Sequence, residues 1–226
     1  MASSTEVVPQ HSLQHHFANL EQQRESSNLG MWLFLVTEIM FFGGLFAAYL
    51  IYRLLHPGAF EFGSEHMEFW LGTINTVILL CSSLTVALSV HAAQLGHTKI
   101  TAILLIITVL MGFGFLGIKA VEYHNHWVEG SFPGHFWHMD TTGLHGDDVN
   151  AAQLFFFIYF VMTGLHALHV IIGMVLLSFI AFFALRGRYS AAYHNPVHVS
   201  GLYWHFVDLV WIFLYPLLYL IAHTHA

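Results

Sequence analysis

The stretch from Leu29 to Tyr52 is apolar throughout except for one carboxylate, Glu38. It reads LGMWLFLVTEIMFFGGLFAAYLIY, and as a helix it is long enough to cross the hydrocarbon layer of a bilayer, which is roughly 30 Å thick. A carboxylate inside such a span costs at least ~2.5 kcal/mol of insertion free energy, so it usually faces protein or water and marks a functional path. We therefore expect Glu38 to point toward other helices and away from acyl chains.

The composition indicates an integral membrane protein and argues against several other classes. The chain has 226 residues, of which 57% are hydrophobic and only 8% are charged, whereas soluble domains carry about 25% charged residues. A net charge of −7 argues against a nucleic-acid partner, because such proteins present a basic surface. The single cysteine, Cys81, cannot form a disulfide within the chain.

The distribution of apolar residues predicts an all-α membrane protein, a bundle of five transmembrane helices. A polar N-terminal tail, residues 1–28, precedes a five-helix membrane domain, residues 29–226. The spans are predicted at about 29–52, 69–93, 100–122, 151–185 and 199–222. The fourth span has no acidic or basic residue and would measure about 52 Å as one helix, so we expect its start to project from the membrane.

Turn-forming residues set the connections between the spans. The sequence His56–Gly58 ends the first span, because proline does not continue a helix and glycine opens a turn. A short acidic loop with Glu61, Glu65 and Glu68 is expected to follow, and the longest polar loop is expected at 123–150. Three glycines of the third span are expected to form a close-packing face: Gly112, Gly114 and Gly117.

Five spans place the two termini on opposite sides of the membrane. Lysine and arginine residues near the cytoplasmic ends of spans set the orientation of a chain. With the N-terminus inside, four cations lie inside, namely Arg24, Lys99, Arg186 and Arg188. Arg53 and Lys119 then lie toward the outside, so we expect the N-terminus inside and the C-terminus outside.

Five strings of sequence carry a resemblance to a known family. They are GMWLFLVTEIMFFGGLFAAY (30–49), NTVILLCSSLTVALSVHAA (75–93), KAVEYHNHW (119–127), GLHALHVIIG (164–173) and YWHFVDLVWIFLYPLLYL (203–220). Together they resemble subunit III of the haem-copper terminal oxidases, a family that includes cytochrome c oxidases and bacterial quinol oxidases. The resemblance covers roughly residues 28–222 and fits the five-helix bacterial form, which lacks the first two helices of the seven-helix members.

The resemblance implies a non-catalytic subunit of an enzyme complex. Haems and copper are then expected in other subunits, with no cofactor bound by this chain. Subunits I and II, membrane lipids and a respiratory supercomplex are the implied partners. Packing on subunit I, holding phospholipid, and supporting proton uptake and active-site lifetime are the implied tasks. The implied location is the bacterial inner (cytoplasmic) membrane, with the N-terminus cytoplasmic and the C-terminus periplasmic.

Glu38 matches the family's intramembrane carboxylate on its first shared helix. One interpretation is a protonatable group near the proton-uptake surface of subunit I. The alternative is a neutral glutamic acid that is hydrogen-bonded to a neighbouring helix. The residue types and spacing do not separate these two interpretations.

Two polar pairs occur at a spacing of three residues on the last two spans, His166 with His169 and His205 with Asp208. Metal or haem ligation is one interpretation, since imidazole is a common ligand. Interhelical hydrogen bonding is the one we favour, because two-haem bundles separate the histidines of one helix by several turns and zinc takes four ligands.

Two further polar pairs have structural interpretations. Lys119 and Glu122 are three residues apart and are expected to form an ion pair on one helix face. Arg186 and Arg188 close the fourth span and are expected to contact lipid phosphate, because a guanidinium binds phosphate oxygens in pairs.

Alternatives remain at two levels. Within the family, the electron donor is either cytochrome c or quinol; a glutamate in span one and the string YWHFVD favour the cytochrome c branch. Outside it, the chain would be a histidine-ligated membrane cytochrome, or a small proton-coupled transporter that uses Glu38. A transporter predicts inverted repeats or broken helices, and neither is evident in the sequence.

Overall fold

The structure is a computed structural model, and it describes residues 17–135, 137–139, 141, 144, 146–191 and 193–220. Six α-helices account for nearly all of this part of the chain. They are α1 (Leu20–Leu55), α2 (Pro57–Glu65), α3 (Phe69–Gln94), α4 (Thr98–Val128), α5 (Asp148–Leu185) and α6 (Asn195–Tyr219). Five of them, all except α2, are long and apolar enough to cross a membrane. The prediction of an all-α, multi-pass membrane protein is confirmed.

The first helix begins earlier than the first predicted span. Leu20 is its first residue, and the Oδ1 atom of Asn19 accepts a hydrogen bond of 2.8 Å from the backbone N–H of Gln22. A cap of this kind satisfies one of the free N–H groups of a helix start. Residues 20–28, predicted as part of the polar tail, therefore continue the membrane helix, whose 36 residues span about 54 Å.

The acidic loop predicted after the first span is wrong, because residues 57–65 form the short helix α2. Pro57 stands in its first turn, where a missing N–H has no helical partner to lose. The ring of Phe60 packs edge-on against Phe155 of α5 at 5.3 Å. A Cβ atom on Gly63 would lie 2.2 Å from the Phe155 ring, so only glycine fits this contact. Burial of one face thus holds α2 as a helix.

The long loop is shorter than predicted. α4 continues to Val128 and α5 begins at Asp148, so only residues 129–147 connect them. His124 and His126, placed in the loop by the sequence interpretation, lie on the last turns of α4. At the other end of the chain, α6 ends at Tyr219, and residues 221–222 of the predicted last span lie outside the described residues.

Helices α3 to α6 form the packed core, and α1 lies along one edge of it. A turn at Leu95–His97, in which Gly96 takes a φ of +77°, joins α3 to α4 as an antiparallel hairpin. Fully buried aromatic side chains fill the centre, among them Trp204, Trp211 and Phe115. In contrast, α1 buries only Leu35, Phe42 and Tyr49 and packs against α5 and α6. Much of its surface is therefore left for lipid or for another chain.

The glycines of α4 do not share one environment. Gly112 packs against Met174 and Trp204, where an added Cβ would come within 2.7 Å of the Met174 sulfur. Gly114 and Gly117 have nothing within 4 Å of an added Cβ. The expected close-packing face is therefore right for Gly112 and wrong, within the described part of this chain, for the other two.

The bundle has two distinct ends. At one end, the start of α1 lies beside residues 193–195, and Gly96 lies beside Ala191; we call this the N-terminal end. At the other end, His56 contacts Asp148 at 3.3 Å, and Asn125 donates a hydrogen bond of 2.6 Å to Glu68. We call this the loop end, because the 129–147 connection lies there.

Candidate functional site

Glu38 contacts another helix of the chain. Its Oε2 atom lies 3.1 Å from Nε2 of His169 on α5, and the side chains of Glu38 and His169 are 19% and 13% exposed. Phe34, Val36 and Phe41 of α1 are exposed around it. The carboxyl group thus lies at the seam between α1 and α5, directed to protein and close to the outer surface of the bundle.

The hydrogen bonds of His169 determine how many protons this pair holds. Nδ1 of His169 lies 2.8 Å from the carbonyl oxygen of Leu165, and because a carbonyl only accepts, Nδ1 carries a hydrogen. A neutral His169 therefore offers Nε2 as an acceptor, and Glu38 must supply the proton between them. The other form is an imidazolium that donates to a carboxylate. Both forms contain one proton in the contact and have zero net charge, as apolar surroundings require.

Aromatic groups hold His169 in this orientation. The Phe42 ring meets the imidazole edge-on with 5.3 Å between ring centroids. The hydroxyl of Tyr203 on α6 donates a hydrogen bond of 3.2 Å to the carbonyl oxygen of His169. Three helices, α1, α5 and α6, therefore converge on this pair.

A second polar cluster is buried in the core toward the loop end. Nζ of Lys119 lies 3.1 Å from Oε2 of Glu122, and the two residues are 3% and 0% exposed. Lys119 also donates hydrogen bonds to the hydroxyls of Tyr159 at 3.2 Å and Tyr219 at 2.8 Å. Both hydroxyls in turn donate to Oε1 of Glu122.

Three polar atoms surround the cation of this cluster. An ammonium group has three hydrogens, and the three neighbours of Lys119 are two phenol oxygens and one carboxylate oxygen. The ammonium group also lies 5.1 Å from the ring centroid of Tyr159 and 5.2 Å from that of Trp211. Such a closed arrangement ties α4, α5 and α6 together and is typical of a structural ion pair.

The remaining polar residues of α5 and α6 do not join these clusters. His205 Nδ1 lies 2.7 Å from the hydroxyl of Ser83 on α3. Asp208 is buried next to the same serine. His166 is buried between the rings of Phe115 and Trp211, and neither ring nitrogen has a hydrogen-bond partner among the described residues. His169 therefore bonds to α1 and His205 bonds to α3, so the four residues do not form one network.

Arg186 and Arg188 lie at the N-terminal end, just after α5. Their guanidinium groups stack at 4.3 Å on Phe182 and at 5.0 Å on Phe183. Both rings line an apolar groove of about 720 Å³ between α4 and α5, which is lined also by Phe113, Ile171 and Phe179. The next residue, Tyr189, is buried, and burial raises its pKa to about 12. This phenol therefore stays neutral beside the two cations.

The arrangement of spans and polar clusters can now be compared with known proteins. The model of the family described as "Cytochrome c oxidase subunit III" matches residues 6–158 and 147–223 of the chain. The chain belongs to this family. The prediction of the family from the five sequence strings is confirmed.

Relatives within the subunit III family include both branches. A cytochrome c oxidase subunit 3 from Thermostichus vulcanus is 37% identical over 86% of this chain and 87% of the relative. A quinol oxidase subunit 3 from Bacillus subtilis is 31% identical over 91% of this chain and 93% of the relative. A longer cytochrome c oxidase subunit 3 from Coturnix japonica is 31% identical, and 76% of its length is matched.

The sequence alone pointed to Lys119 and Glu122 of the buried cluster but not to its two tyrosines. Sequence reasoning missed Tyr159 and Tyr219, which complete the Lys119 cluster, because tyrosines in apolar spans look like interfacial or core residues. The feature that could have identified them is the phenol hydroxyl, which needs a hydrogen-bond partner when it is buried. Among the residues that the structure describes, no group of three or more His, Cys, Asp or Glu side chains is placed to hold a metal ion.

We predict that Lys119→Met alone destabilises the protein by about 3–5 kcal/mol, because it leaves the Glu122 carboxylate buried without its cation. The double variant Lys119→Met with Glu122→Met should lose less, because no uncompensated charge remains. Heat-induced loss of helical circular dichroism in mild detergent measures both.

Lys99→Met is the control for loss of one positive charge, since Lys99 is exposed at the start of α4. It should unfold at the wild-type temperature. A double variant less stable than Lys119→Met would contradict the ion-pair interpretation.

Proposed function

We propose that this chain is a non-catalytic subunit III of a haem-copper terminal oxidase, within the proton-pumping, respiratory complex of the cytochrome c oxidase branch. The observation that carries the proposal is the family match, which extends from residue 6 to residue 223. In this assignment subunits I and II hold the haems and copper, and this chain packs on subunit I. Its own tasks are to hold lipid and to support proton uptake and active-site lifetime.

The quinol oxidase branch is the second candidate. The Bacillus subtilis relative with that name is matched over 91% of this chain, which supports it. The higher identity of 37% to the Thermostichus vulcanus protein supports the cytochrome c branch.

Purification in gentle detergent through a tag on this chain tests the assignment. We expect haem-copper subunits to co-purify, with a visible spectrum that belongs to those subunits. Oxygen consumption driven by reduced cytochrome c, compared with that driven by a quinol, then separates the two branches. A haem spectrum that stays with the isolated chain would contradict the proposal and support a histidine-ligated cytochrome.

The orientation proposed is N-terminus cytoplasmic and C-terminus periplasmic, in a bacterial inner membrane. Arg24, Lys99, Arg186 and Arg188 support it, because all four belong to the N-terminal end of the bundle. A reporter that is active only in the cytoplasm, fused after His225, should remain inactive.

The Glu38–His169 pair is proposed to support proton uptake by the complex. Its support is the contact of 3.1 Å, which holds one exchangeable proton, and its place at the outer seam of α1 and α5. From that seam a proton can pass to a neighbouring subunit without crossing the core of this chain.

Glu38→Gln removes the exchangeable proton and keeps the contact, because an amide N–H can donate to the free Nε2 of His169. We predict an assembled oxidase with its haems and copper, and a several-fold loss of turnover or pumping that grows at alkaline pH, where proton delivery limits the rate. Turnover, pumping and operational lifetime measured across pH test this.

Thr37→Val is the matched control, since within the described part of the chain the Thr37 hydroxyl bonds only to the carbonyl oxygen of Phe34 on its own helix. It should behave as wild type. Equal turnover, pumping and lifetime in Glu38→Gln and wild type would make Glu38 a structural residue.

Arg186 and Arg188 are proposed to hold a phospholipid headgroup, with an acyl chain in the adjoining groove. The support is the position of both guanidinium groups over rings that line the groove. Arg186→Gln and Arg188→Gln should each reduce the phospholipid retained by the purified complex, measured by native mass spectrometry. Lys99→Gln removes one exposed cation from the same end and should retain the lipid; an equal loss in all three variants would contradict a specific site.

A further inference from the structure

One face of α4 carries polar side chains from the core to the loop-end surface. Lys119, Glu122 and His126 follow one another at spacings of three and four residues, which places them on the same side of a helix. Their exposed fractions are 3%, 0% and 1%. Glu129, three residues further, has a side chain that is 52% exposed. This line of residues therefore runs from the buried Lys119–Glu122 ion pair to the solvent-accessible carboxylate of Glu129.

His126 differs from the other residues of this line in its hydrogen bonding. Neither of its ring nitrogens has a hydrogen-bond partner within the described residues. Its Nδ1 atom lies 3.6 Å from Oε2 of Glu129, which is longer than a hydrogen bond. A buried polar group left without a partner costs about 1–3 kcal/mol, so such groups are rare in folded proteins. Stability therefore does not explain why a histidine occupies position 126.

Packing does not supply that reason. The imidazole meets the rings of Phe156, Tyr159 and Phe160 edge-on, at centroid distances of 5.7, 5.4 and 6.1 Å. Phenylalanine would make the same ring contacts without burying two polar atoms. The ionisable groups near His126 are Glu122 and Lys119 of its own helix, Glu129 just after that helix, and His66 beside α2.

The inner neighbour of His126 can accept a hydrogen. Oε1 of Glu122 receives both tyrosine hydroxyls, whereas Oε2 faces Lys119 at 3.1 Å and has no hydrogen bond of regular geometry in the described structure. A carboxylate oxygen has two lone pairs, so Oε2 keeps a free site for one more donor.

We propose that His126 is a proton relay between the loop-end surface and the buried Lys119–Glu122 pair. A proton that the Glu129 carboxylate takes from water binds Nδ1, and the imidazolium then releases the hydrogen of its other nitrogen toward Oε2 of Glu122. The reverse transfer restores the start, so one proton enters for each that leaves and no electron moves. Histidine suits this task, since each of its two ring nitrogens can bind or release a proton.

This proposal goes beyond the function proposed above. It concerns α4 and the loop end of the bundle, whereas Glu38 belongs to the seam of α1 and α5. Its test needs neither turnover nor an assigned electron donor. A failure of the oxidase assignment and a failure of the relay would therefore be seen separately.

Hydrogen–deuterium exchange in the intact purified complex tests the relay. Infrared spectra recorded after a change from H₂O to D₂O report exchange at the Glu122 cluster, whose bands are assigned by their loss in Glu122→Gln and Tyr219→Phe. We expect His126→Phe to slow this exchange by about tenfold or more, within the range of a lost acid–base group. His124→Phe, an exposed position on the same turn of α4, should exchange at the wild-type rate.

Thermal stability separates a relay from a structural role. His126→Phe should unfold at or above the wild-type temperature, because it removes two polar atoms that have no hydrogen-bond partner among the described residues and keeps the ring contacts. Unchanged exchange in His126→Phe, or equal slowing in His124→Phe, would overturn the proposal. If His126→Phe does not assemble, Glu129→Gln decides: slowed exchange supports the relay, and the wild-type rate overturns it.

Discussion

Acyl chains offer no hydrogen bonds, so a charged side chain inside the bundle has to find its partner within the protein. The two ion-pair clusters meet this constraint in different ways. Lys119 and Glu122 are enclosed by Tyr159 and Tyr219, and both hydroxyls donate to the Glu122 carboxylate. Glu38 meets a single imidazole and holds one proton in the contact. The first arrangement fixes three helices in the core, and the second places one exchangeable proton at the outer seam of the bundle.

The edge position of α1 follows from the same constraint. Its most apolar part buries few residues against α5 and α6, so this helix gains little from packing within the chain. Glu38 can be tolerated there because His169 reaches it from α5. A carboxyl group at the seam of a loosely packed helix is accessible to a neighbouring subunit in a way that Glu122, with 0% exposure, is not.

The five spans could be predicted from sequence because the thickness of the bilayer alone sets the length and hydropathy that a membrane-spanning helix needs. The inward direction expected for Glu38 followed from the cost of a carboxylate in lipid. The helix α2 could not be predicted in this way, since its nine residues depend on the fit of Gly63 against Phe155. The partner of each histidine also depends on the register between helices, which bulky rings such as Trp204 and Trp211 set.

The end of α4 is where the structure differs most informatively from the sequence prediction. The sequence predicts a span that ends at about residue 122, within the polar string from Lys119 to Trp127, and a loop at 123–150, because that segment is rich in His, Gly and Asp and too polar to cross a membrane. In the structure α4 continues to Val128, and every third or fourth residue of that string is buried. A loop would have left His126 in water, where a histidine needs no explanation. Inside a helix, against three aromatic rings of α5, the same side chain becomes a buried base next to a carboxylate.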